Sequence, residues 1–233
     1  MPYTKIPSKG TVLITGAAKR IGQALAFKLA FLGYKIILHY HESRREAEKT
    51  ARFIIQSGGN CKLYRCNLEN EDKVSNLIKA IYREDKDFNL LINNASIFEK
   101  SNFLNQTNKS INRHFDINFK APFILIRDFA RFVKKGHIVN ILDTNIVKNK
   151  TSHLAYLLSK KALAELTKLS AYALAPHIRV NAIAPGYVLP SKEANKDFLN
   201  RLTQRIPLRM KGTPEQIARS LQFLMENPYL TGQ

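Results

Sequence analysis

Tyr156 and Lys160 stand four residues apart in "YLLSK". On a helix that spacing puts both side chains on one face. A Lys ammonium beside a phenol favours the phenolate, lowers the Tyr pKa and makes the hydroxyl a proton donor and acceptor near neutral pH. Such a pair is common by chance, so its meaning depends on the rest of the chain. Just upstream, the apolar run "GHIVNIL" (Gly136 to Leu142) leads into Asp143. An ionised carboxylate there accepts hydrogen bonds and donates none.

A second constellation lies near the start. "TGAAKRIG" (Thr15 to Gly22) follows the apolar "TVLIT" and opens the helical pattern "IGQALAFKLAFLG". A strand, a glycine turn and a helix make an anion site, because free backbone N–H groups and the helix dipole point at a phosphate. Gly16, Lys19, Arg20 and Ile21 are the expected cofactor contacts of this loop, with two cations where a phosphate would lie. The spacing from Gly16 to Gly22 is wider than in the common dinucleotide fingerprint. NAD-selective folds usually end their second strand with an acid for the ribose hydroxyls. Here the strand ends in "HYHES" (His39 to Ser43), with no Asp at its tip. His41 and Ser43, with Lys19 and Arg20, are expected to hold a 2′-phosphate, so NADP(H) is favoured over NAD. Glu42, about two positions past the tip, is the acid that speaks the other way.

The elements that must position these residues alternate. Strands are expected at Thr11 to Thr15, Lys35 to Tyr40, "CKLYRC" (Cys61 to Cys66), Phe88 to Asn93, Gly136 to Leu142 and Ile178 to Ala184. Helices are expected up to the Gly33 cap, over Ser43 to Gln56 and Glu69 to Arg83, over Lys109 to Lys135 with a bend or break near Pro122, and over Ser152 to Ala175, Asn195 to Arg205 and Pro214 to Glu226. Alternation at this spacing means right-handed βαβ units, hence an α/β fold: one doubly wound parallel sheet between two helical layers. No Pro/Gly/Ser-rich linker or internal repeat divides the chain, so residues 1–233 read as one domain. Its ligand belongs beyond the carboxyl ends of the strands.

Composition narrows the classes. No run of about 18 apolar residues offers a membrane span. "MPYTKIPSKG" lacks the apolar stretch of a secretory signal, and a cytoplasmic location is expected. Cys61 and Cys66 fit neither a C-x-x-C redox pair nor a zinc site, and no metal is expected. The formal net charge of +19 is scattered rather than gathered into a nucleic-acid module, with no aromatic–basic alternation. This reads as a generally basic surface, with weak attraction to phosphorylated cofactors or anionic substrates as the alternative, and a small-molecule substrate, not nucleic acid or membrane, is the expected partner.

In order along the chain, "TGAAKRIG", "NNAS" (Asn93 to Ser96), Asn118 in "DINFKAPF", "YLLSK" and "NAIAPGYV" (Asn181 to Val188) resemble the short-chain dehydrogenase/reductase family. "PLRMKGTPEQIARSLQFLMENPYLTGQ" is also similar to it, so the resemblance covers nearly all the chain. It implies a Rossmann fold and an NADP-dependent oxidoreductase. It implies Tyr156 as proton donor, Lys160 on the nicotinamide ribose, and Asn118 in a water relay to Lys160. Asn93, Ala95, Pro185 and Gly186 would line the cofactor, and Asn67-Leu68 would meet the adenine, although the family usually has Asp where Asn67 stands. Relatives continue past "YLTGQ" into one more strand, so the sheet is expected to lack its last edge strand or the chain to be truncated. A homodimer or homotetramer is implied as well.

Asp143 departs from the family. A Ser usually stands at that position and bonds the substrate carbonyl oxygen, whereas a carboxylate would repel a developing alkoxide. A slip to Thr144 would turn the side chain to the other face of the strand. An acid suits a substrate with N–H groups to offer, such as a pterin, whose reduction adds hydride to a C=N bond and a proton to a ring nitrogen. The chain also resembles the pteridine reductase branch in Arg20, in "HYH", and in Ser96 and Phe98 of "NNASIF". That likeness places Arg20, Ser96, Phe98, Asp143 and Tyr156 on the substrate side, with the Phe ring stacking a flat heterocycle. Catalysis would fall to Asp143, Tyr156, Lys160 and Asn118. Two other readings remain: a carbonyl reductase of 3-oxoacyl thioesters or sugars, and a non-catalytic NADP-binding protein.

Overall fold

The computed structural model of the chain describes residues 9–149, 151–189, 200–201 and 203–233. Six parallel strands lie in the order β3-β2-β1-β4-β5-β6. They are β1 (Thr11–Ile14), β2 (Lys35–Tyr40), β3 (Cys61–Arg65), β4 (Phe88–Asn93), β5 (Gly136–Ile141) and β6 (Ile178–Ile183). The central strands are apolar without alternation because helices cover both faces. Val12 and Ile14 point into one core with Leu25, Leu29, Ile54 and Leu221. Leu13, between them, points into the other with Ile78, Leu125, Phe129 and Leu163.

The helices are α1 (Arg20–Phe31), α2 (Arg44–Gln56), α3 (Glu71–Glu84), α4 (Asn108–Phe115), α5 (Ala121–Phe132), α6 (Leu154–Leu174) and, at the C-terminal end, α7 (Pro214–Glu226). α1 packs on α7 on one face of the sheet, and α3 on α5 on the other. The strand order reverses between β1 and β4, so the crevice beyond their carboxyl ends is the topological switch point.

Three details differ from the sequence expectations. The helical stretch before β5 changes pitch at Asp116–Lys120, a π-helical turn in which Ala121 N–H donates to Asp116 O. Pro122 follows directly, in the first turn of α5, so the change of pitch falls next to the expected bend near Pro122. Asp143 lies past the end of β5 and caps a 3-10 turn, Thr144–Val147. The expected bare edge of β6 is partly covered: Gly232 N–H donates to Val180 O at 2.7 Å and Ala182 N–H to Gln233 O at 2.6 Å. Arg179 holds this tail by donating to the carbonyls of Leu224, Asn227 and Leu230, at 3.1, 3.3 and 2.8 Å. The N-terminal residues 1–8 and most of the helix expected over Asn195 to Arg205 fall outside the described residues; at 200–201 and 203–204 the chain is helical.

Candidate active site

β5, the turn after it, α6 and the π-helical turn converge at the switch point. Tyr156, in the first turn of α6, donates from Oη to Asp143 Oδ2 at 2.8 Å. The other carboxylate oxygen accepts from Asn145 N and Nδ2, at 2.7 and 2.8 Å. Asp143 therefore faces the site, while Thr144 is exposed and gives its N–H to Pro185 O. Burial pushes the Tyr156 phenol up, and the Asp143 charge and hydrogen bond push it further. This corrects the expectation of a lowered Tyr pKa: the adjacent carboxylate keeps the proton on the phenol. Lys160 is fully buried and donates from Nζ to Ile141 O at 2.7 Å. Burial lowers its pKa to about 8, against the raising effect of Asp143.

Asn118 sits in the π-helical turn. Its Oδ1 accepts from Ile97 N at 2.9 Å, and its Nδ2 donates to Ile97 O and to Ser159 Oγ, both at 3.1 Å. Ser159 in turn donates to Tyr156 O at 2.7 Å. The amide thus ties the loop after β4 to the helix of Tyr156. On that loop the Phe98 ring lies perpendicular to that of Tyr156, with centroids 4.7 Å apart, and stacks on His153 at 4.1 Å. Phe98 and Ser96 are exposed, and Ser96 Oγ reaches only Ile97 O, at 3.3 Å.

The glycine turn stands at the mouth of the same crevice. Gly16 has φ +64, and a Cβ there would lie 2.9 Å from Ala95 Cα. A Cβ on Gly22 would lie 2.4 Å from Gly16 O. The turn therefore packs directly on the Asn93–Ala95 loop, and bulk is excluded where a ligand's phosphates would approach. No side chain caps the start of α1, and its first turn holds no acid, so the helix end is left for an anion. Lys19 and Arg20 are exposed here, Arg20 with φ 59, and Ile21 follows half-buried. Asn93 gives Nδ2 to Asn140 Oδ1 at 2.8 Å, and its buried Oδ1 has no partner among the described residues. Pro185 is buried and Gly186 exposed beyond β6. These features fit a dinucleotide along the carboxyl ends of the strands.

The family model described as Enoyl-(Acyl carrier protein) reductase matches residues 16–233. The chain belongs to the short-chain dehydrogenase/reductase family. It is an oxidoreductase of that family. The 3-oxoacyl-[acyl-carrier-protein] reductase of Synechocystis is 30% identical over 228 residues, covering 95% of this chain and 92% of that protein. The 3-oxoacyl-[acyl-carrier-protein] reductase FabG of Rickettsia bellii is 33% identical over 231 residues, with 96% and 92% covered. Among solved structures, FolM Alternative dihydrofolate reductase 1 from Brucella canis, complexed with NADP, superposes with a TM-score of 0.92 at 35% identity, covering 99% of this chain and 92% of that one. The Brucella suis protein, also with NADP, gives 0.92 and 35%, with 98% and 93% covered.

Within this short-chain dehydrogenase/reductase, the far end of the crevice lies over β2 and β3. His41 and Glu42 are exposed, and Ser43 precedes α2 without capping it through its side chain. Asn67 accepts from Glu69 N through Oδ1 at 3.0 Å, a local turn that sets the loop after β3, and Leu68 is buried. These residues are well separated from the Asp143–Tyr156 pair by the width of the sheet, as two ends of one long ligand require.

The sequence reading missed three positioning residues. Asn145 orients the Asp143 carboxylate; its signal is a local Asp-x-Asn turn. Ser159 links Asn118 to α6. His39, in β2, is the third. Its Nδ1 accepts from Gly16 N at 3.1 Å, so Nε2 carries the proton and faces Cys66 O at 3.0 Å. Burial holds this imidazole neutral, with a pKa of about 4. Burial and the Arg179 charge likewise hold His137 neutral, at about 3.

These two histidines predict acid lability. In the unfolded chain both take up a proton as pH falls through 6.5, whereas in the fold they do so only near 4 and 3. Over that window the unfolded state binds more protons, so stability falls with falling pH. The expected loss is about 1 kcal/mol per histidine per pH unit. Thermal melts from pH 7.5 to 5 check it, and a His39→Asn, His137→Asn double variant should show a flatter profile. A wild-type Tm that does not fall toward pH 5 would contradict the assignment.

Proposed function

We propose that the protein is an NADPH-dependent reductase of a dihydropterin-type substrate, in the dihydropteridine, dihydromonapterin or dihydrofolate class. The observation that carries this reading is the 2.8 Å hydrogen bond from Tyr156 to Asp143. On this reading a carboxylate, not a hydroxyl, accompanies the proton-donating Tyr156. Support comes from the two FolM structures at 35% identity.

Bound nicotinamide would supply the hydride. Asp143 accepts hydrogen bonds from the N–H groups of the heterocycle and keeps Tyr156 protonated. As the C=N carbon gains a hydride, its ring nitrogen needs a proton, and Tyr156 gives it. Lys160, one helical turn along α6, is the buried cation that offsets the phenolate left behind. Asn118 holds the loop carrying Ser96 and Phe98 against α6, so the Phe98 ring bounds the substrate space. On the cofactor side this reading assigns Gly16, Lys19, Arg20, Ile21, His41, Ser43, Asn67, Leu68, Asn93, Ala95, Pro185 and Gly186.

The runner-up is reduction of a 3-oxoacyl thioester, the activity named for the relatives at 30–33% identity. It requires Asp143 to be protonated before it can donate to a carbonyl oxygen. The purified protein with NADPH is offered dihydrobiopterin, dihydromonapterin, dihydrofolate and an acetoacetyl thioester, and loss of NADPH absorbance is followed. Turnover of a dihydropterin is expected. Turnover of the thioester alone would replace the reading by the runner-up.

A homo-oligomer belongs to the same proposal. α6 exposes Leu158, Leu169 and Tyr172 along one face, and α5 exposes Phe123. Sedimentation velocity is expected to give a dimer or tetramer, and a lone monomer at micromolar concentration would remove this part.

A further inference from the structure

We infer that Arg65, the last residue of β3, is the cation that selects the 2′-phosphate of the cofactor; the inference rests on the NADP reading above. β2 and β3 are parallel neighbours, and Tyr40 pairs with Arg65. Arg65 therefore stands level with the last residue of β2, at the end of the crevice where the adenosine ribose of a dinucleotide lies in this fold. Its Nε donates to the carbonyl of His41 at 3.3 Å. That bond lays one edge of the guanidinium against the β2 tip. Among the described residues Arg65 makes no ion pair and no other hydrogen bond, so its two terminal nitrogens remain for a ligand.

The tip itself needs such a group. Glu42 is exposed there, and its carboxylate lies 4.0 Å from His41 Nδ1. An acid in this place suits free ribose hydroxyls and opposes a 2′-phosphate. His41 carries charge only when protonated, so it answers Glu42 incompletely. Arg44, the next cation along, has its Nε on Glu48 at 2.7 Å, and Arg113, whose charge also reaches Glu42, is committed to Glu69 and Glu99. A guanidinium is charged at every relevant pH, and its planar fork matches phosphate oxygens in pairs. Arg65 is thus a permanent cation fixed to the tip by its own hydrogen bond, with its terminal nitrogens uncommitted among the described residues. Read in sequence, position 65 is an ordinary exposed strand residue of "CKLYRC", and only the β2–β3 register brings it to the tip.

The test needs no substrate. Dissociation constants for NADPH and NADH are measured by nicotinamide fluorescence on the wild type, Arg65→Gln and Arg65→Lys. Arg65→Gln is expected to weaken NADPH by roughly tenfold or more, the loss of a charged hydrogen-bonded contact, and to leave NADH unchanged. Arg65→Lys should fall between, since it keeps the charge and loses the fork. A merely structural role would weaken both cofactors together, and that result overturns the inference. Discrimination that survives in Arg65→Gln also overturns it, while leaving the NADP reading intact. A wild type that binds NADH as tightly as NADPH overturns both.

Discussion

Replacing Asp143 by Ser is expected to cut kcat/KM for a dihydropterin by about 100-fold or more, the usual scale of a lost acid–base partner. The carboxylate is the acceptor for Tyr156 and the proposed acceptor for the N–H groups of the substrate. A Ser at this position restores a donor and removes the charge. It can still accept from Asn145 N, as Ser does at turn starts, so the loop should keep its shape. NADPH affinity should hold, because Asp143 has no contact with the glycine turn or with the β2 tip. The same variant should gain on an acetoacetyl thioester, since its hydroxyl can donate to a carbonyl oxygen. Steady-state kinetics on both substrates, with NADPH binding measured separately, decide the matter. Unchanged pterin kinetics would take Asp143 out of the mechanism.

Tyr156→Phe should be the more severe change, lowering kcat for the preferred substrate by about 1,000-fold. The Phe ring keeps the perpendicular contact with Phe98 and fills nearly the same buried volume, so the fold should persist. What goes is the hydroxyl proton that Tyr156 gives to Asp143 Oδ2. Burial and the Asp143 charge both hold that proton on the phenol in the free enzyme. Tyr156 thus carries its proton in the free enzyme; because the raised pKa makes the phenol a weaker acid, the proposed transfer relies on the negative charge that builds on the substrate nitrogen and on the Lys160 ammonium nearby. Single-turnover oxidation of bound NADPH tests it. A rate close to wild type in Tyr156→Phe would mean that the proton comes from another group.

The alternation of strands and helices, the glycine turn at Thr15 to Gly22 and the Tyr156–Lys160 pair were all legible in the sequence. Each depends on groups only a few residues apart, where hydrophobic period, glycine conformation and helical spacing act directly. The position of Asp143, 13 residues before Tyr156, was legible for the same reason once α6 and β5 were placed. The boundaries were less so. The π-helical turn at Asp116–Lys120 has no periodic signature, and it matters because it carries Asn118.

The amino-acid sequence by itself determined the fold class, the family and the presence of an acid where a hydroxyl is usual. Tertiary structure decided which way each group works. Gly16 and His39 are 23 residues apart, Asn93 and Asn140 47, yet each pair is hydrogen-bonded across neighbouring strands. The Tyr156 pKa was misjudged from sequence because the Lys160 neighbour is visible there and desolvation is not. In the folded chain burial acts on both groups, and the phenol meets a carboxylate rather than the ammonium, which donates a hydrogen bond to Ile141 O. Burial and cross-strand register belong to the assembled sheet, and no local pattern along the chain encodes them.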